Sequence, residues 1–423
     1  MENSIDTGTQ PAGYKAKALL ALLALLLLSS WVYWPGLTGP LLLDDYRNLT
    51  PLDAGGGVTD LESLLTFVFG NTSGPTGRPV SMLSFLIDAQ SWPPLVASFK
   101  YTNIMIHLLC GLVLFWLCLL LFRHFLPASR NNTWLALLVC ALWLLHPLNV
   151  STTLYVVQRI TQLMTLFALA SLLCYVAGRI CLSDRPRQSL LLLLMALFPF
   201  GLLSVLSKEN GALLLLLIVI MEATLFAAAP KTKWFTIWFR LDVALPIVIM
   251  AAYLLYSFPD AAANYDIRSF SLDERLLTQL RIVSMYIFEI MLPNTLDAGL
   301  FHDDIQVSTS LFNPLSAVVS ALFIGALLLS AFAFRRKQPM YSFAVLWFFA
   351  MQLLESTYMP LELYFEHRNY MAMIGPLVAT VWYLSSTVQQ LQVPNPGQLL
   401  SAASILLLAF MAWLTWGACP AVE

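Results

Sequence analysis

Charge is scarce in this chain. Aspartate, glutamate, lysine and arginine make up 11% of its 423 residues, where a soluble domain carries about 25%. That excludes an ordinary water-soluble fold. The net charge of −2 leaves no case for a nucleic-acid partner. Cysteine is scarce as well. Its six copies (Cys110, Cys118, Cys140, Cys174, Cys181, Cys419) form no Cys-x-x-Cys pair and no metal-ligand spacing. They read as small core residues without a disulfide framework. Internal repeats, inverted or tandem, are missing too, which disfavours many transporter designs.

Apolar residues take the place of charge: 59% of the chain is hydrophobic and mean hydropathy is +0.75. Apolar stretches of about 17–25 residues recur, each long enough for a helical span. They predict an all-α polytopic membrane protein with about eleven spans, near 17–35, 101–122, 132–147, 160–178, 189–207, 210–228, 240–258, 313–334, 340–358, 370–387 and 398–416. The first resembles a signal peptide after Lys15 and Lys17. It runs into Trp31, Tyr33 and Trp34 with no small-residue cleavage site, so a retained anchor is expected. Residues 1–15 are polar and expected to be disordered. A single membrane domain covers 16–418, with outer segments 36–100 and 259–312, and 419–423 is a tail.

Basic residues set the expected orientation. With the N-terminus in the cytoplasm and the C-terminus in the periplasm, the cytoplasmic side collects Lys15, Lys17, Arg123, Arg130, Arg179, Arg185, Arg187, Lys231, Lys233, Arg240 and Arg335-Arg336-Lys337. Residues 276–293 are apolar enough to cross. Crossing would put the acidic 297–304 loop inside and Arg335-Arg336-Lys337 outside, so this stretch reads as an interfacial or re-entrant helix. Leu61–Phe69 and Val80–Ile87 read as short amphipathic helices on the membrane surface. Segments 53–57 and 71–78 read as turn-rich linkers.

Five polar clusters fall at the outer ends of the spans: Asp44-Asp45-Tyr46-Arg47; Gly77-Arg78-Pro79; His146-Pro147 leading to Gln158-Arg159; Ser207-Lys208-Glu209-Asn210; and Glu366-His367-Arg368-Asn369-Tyr370. Adjacent carboxylates at a lipid–water boundary repel each other and need water or a cation. Their presence there suggests a base or a metal ligand. Arginine and lysine suit a lipid-borne phosphate. A carboxylate suits proton removal from an incoming hydroxyl. The clusters therefore fit sugar transfer from a polyprenyl phosphate. Asp44 and Asp45 are the catalytic candidates. Arg78, His146, Gln158, Arg159, Lys208, Glu209, Glu366, His367 and Arg368 are the candidates for substrate binding.

These motifs, with Ile106-His107-Leu108-Leu109, resemble the multispan glycosyltransferases of the GT-C class. The likeness is to the membrane half of the TMTC-type O-mannosyltransferases and their bacterial relatives, and it covers nearly all of 17–390. The resemblance implies inverting transfer from a dolichyl- or undecaprenyl-phosphate sugar to a protein or glycan hydroxyl outside the cytoplasm. It makes Asp44 or Asp45 the acidic catalytic residue of the first outer loop. TMTC-type proteins continue into tetratricopeptide repeats. This sequence ends after the last span, so acceptor recognition by repeats is expected to be lost or supplied by a partner, and the chain resembles a small stand-alone bacterial enzyme of the TfpW-like pilin glycosyltransferase kind. Expected partners are the lipid-linked donor, the acceptor and the bilayer of a bacterial inner membrane. No cofactor is called for, although two adjacent carboxylates suit Mg²⁺ or Mn²⁺.

Each feature also has a plainer reading. Asp44-Asp45 could cap a helix or bind Arg47. Arg78 could start a helix on a solvated face, and Gln158-Arg159 could anchor a span end. His107 and His146 could be satisfied core histidines. Lys208-Glu209 could be a turn ion pair. Glu222 and Glu355 read as polar glue between helices, and His302-Asp303-Asp304 as a solvated loop rather than a metal site. A flippase for lipid-linked sugars, a non-catalytic membrane subunit and an O-antigen ligase or polymerase are the competing functions.

Overall fold

The computed structural model describes residues 12–52, 57–89, 95–126, 131–293, 305–390 and 396–422. The expectations for residues 1–11, most of linker 53–57, Arg130 and 297–304, including His302-Asp303-Asp304, lie outside them. The described chain is all helical, with no sheet among those residues.

Seven helices are long and apolar enough to cross a membrane: 13–38, 96–125, 156–180, 186–207, 233–256, 316–334 and 400–418. A bent pair, 366–372 with 374–388, makes an eighth if counted as one span. Seven or eight of the eleven expected spans are thus helices of crossing length. The other three apolar runs hold shorter helices, interrupted before the full span length: Asn132–Leu144, Leu214–Ala223 and Pro339–Gln352. The sequence shows why each stops short. His146-Pro147 ends the first. Asn210-Gly211 breaks the second into a 3₁₀ turn before its helix starts. The third ends ahead of Glu355, and Pro360 follows.

The core is a bundle in which these short helices are buried among the long ones. The Glu366–Ala372 turn runs through its middle and is fastened there by ring donors. Trp143 Nε1 donates to the Tyr370 carbonyl at 2.8 Å, and Trp347 Nε1 to the Met371 carbonyl at 2.9 Å. His107 is fully buried, 2.7 Å from the Tyr370 hydroxyl and 3.1 Å from the Leu144 carbonyl, so it is a core histidine.

Two amphipathic elements frame one end of the bundle. Helix Leu61–Phe69 is held by a capping box between Asp60 and Ser63, and Pro79–Phe85 follows Arg78. Helix Leu272–Met291 opens on a second capping box, Ser271 with Glu274, and is not among the apolar spans. Its polar face grips the strap that follows Pro339–Gln352. Arg275 donates to the carbonyls of Thr357, Leu361 and Glu355, Gln279 to that of Leu363, and the Tyr286 hydroxyl to that of Phe365.

Candidate functional site

A chamber of about 860 Å³ opens at that end of the bundle. Its walls come from the ends of four spans and the segments between them: 43–48, Ser73 and Arg78, 157–160, Lys208, 268–270, 305–307 and 355–368. Six of the polar candidates line it, from far apart in the chain: Asp44, Arg78, Gln158, Lys208, His367 and Arg368.

The two aspartates part company here. Asp44 is exposed, and its carboxylate has no hydrogen bond or ion pair among the described residues. Its own N–H donates to the Tyr155 hydroxyl at 2.8 Å, which fixes the turn. Asp45 is 1% exposed and does not line the chamber. Its two oxygens accept the backbone N–H groups of Leu42, at 2.9 Å, and of Val157, at 2.6 Å. Burial pushes its pKa up to about 7, against the lowering effect of those N–H groups and of Lys100. Asp45 thus ties the Asp44 turn to the segment leading into the Arg159–Ile180 helix. Of the two catalytic candidates, only Asp44 lines the chamber.

Arg159 and His146 also stand outside the chamber lining. Arg159 is fully buried and binds inward: Asp88 Oδ2 at 2.6 Å, Asn103 Oδ1 at 2.8 Å, and the carbonyls of Ser84 and Phe99 at 2.9 Å. Four of its five N–H donors are taken within the protein. His146 is also fully buried, with Nε2 3.2 Å from the Ile290 carbonyl and Nδ1 accepting the Leu148 N–H. Glu366 is 6% exposed and does not line the chamber either. Glu209 stands one layer behind the wall. It holds Arg78 through Nη2 at 3.0 Å and accepts the Thr76 hydroxyl at 2.9 Å.

Sequence reasoning missed the residue at the centre. Glu355, read as glue between helices, lines the chamber at 7% exposure. Lys208 Nζ lies 2.6 Å from one of its oxygens and Arg368 Nε 3.7 Å from the other. Burial alone would raise the Glu355 pKa, but Lys208, His367 and Arg368 outweigh it and hold it at about 2. Lys208 is pulled down by burial and partly restored by Glu355. It also donates to the Thr161 hydroxyl at 3.1 Å. Arg268 pairs with Glu362 on the far wall, and Arg47 makes no ion pair among the described residues. A charged residue that ends an apolar run just short of a proline was the available signal for Glu355.

Two wall residues hold backbone that side chains rarely adopt. Leu43 has φ 36° and Arg78 φ 53°, the two positive values at non-glycine residues among those described. Each immediately precedes a helix, Asp44–Leu49 and Pro79–Phe85. Such strain costs on the order of 1–3 kcal/mol and clusters where a site needs a fixed geometry.

No three His, Cys, Asp or Glu side chains among the described residues stand close enough to share one metal ion. With both Asp45 oxygens taken by N–H groups, the adjacent pair does not offer two carboxylates to one cation. The donor set does not fit Mg²⁺ or Mn²⁺ held by Asp44-Asp45.

Comparison of the chain with models of known families, with curated proteins and with solved structures finds no match. The chain is a multi-pass, all-helical membrane protein by the length and hydropathy of its helices.

Proposed function

We propose that this protein is a membrane glycosyltransferase of the GT-C kind. It transfers a sugar from a polyprenyl-phosphate donor to a hydroxyl of a protein, such as a pilin, or of a glycan. The observation that carries the reading is the meeting of an unpaired carboxylate, Asp44, with Lys208 and Arg368 in one chamber at the span ends of a membrane protein. A lipid-linked phosphate arrives from the bilayer at that depth, and guanidinium and ammonium groups hold it. The basic residues collected on the opposite ends of the spans support a periplasmic chamber in a bacterial inner membrane.

In this reading the acceptor hydroxyl gives its proton to Asp44 as its oxygen bonds to the anomeric carbon. The bond from that carbon to the phosphate oxygen breaks on the opposite face, so configuration inverts. The electron pair stays on the lipid phosphate, where Lys208 and Arg368 offset the charge. A positioned base of this type contributes roughly 10²–10⁴-fold.

Mass spectrometry of exported proteins and glycans tests the reading. A strain lacking the gene should lose one sugar mass from an exported molecule. The parental gene should restore it, and Asp44→Asn should not, although the variant inserts normally. Unchanged glycan masses in the deletion strain would refute the reading.

A further inference from the structure

We propose that Glu355 sets the charge of the phosphate site, and so selects a donor joined to its lipid through one phosphate rather than two. The inference rests on the lipid-phosphate reading above and adds the residue that discriminates.

Most basic side chains facing the chamber already have a carboxylate. Lys208 and Arg368 share Glu355, Arg78 has Glu209, and Arg268 has Glu362. Arg47 alone has no ion pair among the described residues. Five lysine and arginine side chains therefore face Asp44, Glu355 and Glu362, with Glu209 behind Arg78. One net positive charge remains among these groups.

That total suits a phosphodiester, which carries a single negative charge between sugar and lipid. A diphosphate brings a second charge. Arg78 and Arg268 are committed to their own carboxylates, and the space between Lys208 and Arg368 already contains one anion. The added charge would approach Glu355 in a partly dehydrated pocket, where repulsion is only partly screened. Glu355 is well placed to enforce this. It is buried, it is held ionised by the cations around it, and its backbone carbonyl is fixed by Arg275 Nη2 at 2.7 Å.

The test uses purified full-length protein in detergent, with an undecaprenyl-phosphate hexose (a phosphodiester) and the matching undecaprenyl-diphosphate hexose as probes. The measured quantity is the ratio of their dissociation constants. The parent should prefer the phosphodiester. Glu355→Gln should shift the ratio toward the diphosphate by on the order of tenfold, as expected for one charge at short range. Lys208→Gln should shift it the other way, and the double variant should return close to the parental ratio. If Glu355→Gln does not fold, Lys208→Gln carries the test in its own direction. An excess of inorganic phosphate should leave both lipids bound, and displacement by it would overturn the assignment to an anchored phosphate. Parental ratios in both single variants, with binding retained, would overturn the role of Glu355 and leave the transferase reading standing. If the parent binds neither lipid, the transferase reading itself falls.

Discussion

Asp44 and Asp45 are neighbours in the chain but have opposite roles in the structure. Asp44 presents an unpaired carboxylate to the chamber, while Asp45 turns inward and accepts the Val157 N–H at 2.6 Å. Successive residues of a helix point about 100° apart, so two identical side chains at its first turn meet different surroundings. Their substitutions should separate. Asp44→Asn should lower transfer by roughly 10²–10⁴-fold with no change in melting temperature. Asp45→Asn keeps one acceptor where two are needed, so at acid pH, where the parent keeps its margin, it should destabilise the fold by about 1–3 kcal/mol. Thermal unfolding and transfer, measured on the same preparations, check the split. Equal losses of activity at unchanged stability would return Asp45 to the site.

The two buried carboxylates should also respond to pH with opposite signs. The Asp45 pKa rises from 3.8 to about 7 on folding, so its protonated form favours the native state. Its contribution is complete below the unfolded value and disappears as pH climbs through about 7. Glu355 falls from 4.5 to about 2. Its contribution is complete above 4.5 and disappears as pH drops through about 2. The parent should therefore lose its margin over Asp45→Asn between pH 4 and 7, and its margin over Glu355→Gln below pH 4.5. Melting temperatures across that range decide it, and flat differences would contradict the assigned environments.

Arg159 should behave as a structural residue. It is fully buried against Asp88, with all its described partners inside the protein. Arg159→Met leaves the Asp88 carboxylate unpaired in the interior, at a cost of about 3–5 kcal/mol. The expected result is poor insertion or rapid unfolding, followed by protease sensitivity. A stable variant with normal unfolding and weakened lipid binding would put Arg159 back in the phosphate site.

Gly211 holds the turn that carries Lys208. Its N–H donates to the Lys208 carbonyl at 2.9 Å, and a Cβ there would lie 2.5 Å from the Ser204 carbonyl carbon. Backbone cannot yield as a side-chain tip does. Gly211→Ala should destabilise by about 1–3 kcal/mol and lower transfer by moving Lys208. Circular-dichroism melts and transfer rates measure both effects. Parental values for both would mean that Lys208 needs no such positioning.

The sequence made the polar clusters legible because charged groups stand out in an apolar chain. That brought Asp44, Arg78, Gln158, Lys208, His367 and Arg368 together as candidates, and the structure gathers them at one chamber. Direction within a cluster was not legible. Gln158 lines the chamber and Arg159 turns away, because one residue of helix separates opposite surroundings. Glu355 was missed for a different reason. Its closest partner, Lys208, lies far off in the chain, so it looked like a lone charge closing an apolar run. Breaks inside the apolar runs were not legible either, because hydropathy averages over them. Asn210-Gly211 interrupts one run without lowering its mean enough to show.

Electron cryomicroscopy of the purified protein with bound undecaprenyl phosphate tests the central claim most directly. The account predicts phosphate density inside the chamber, within about 3 Å of Lys208 Nζ or an Arg368 guanidinium nitrogen, with the Asp44 carboxylate facing it across open space. A lipid phosphate bound elsewhere on the bundle, with the chamber empty, would contradict it.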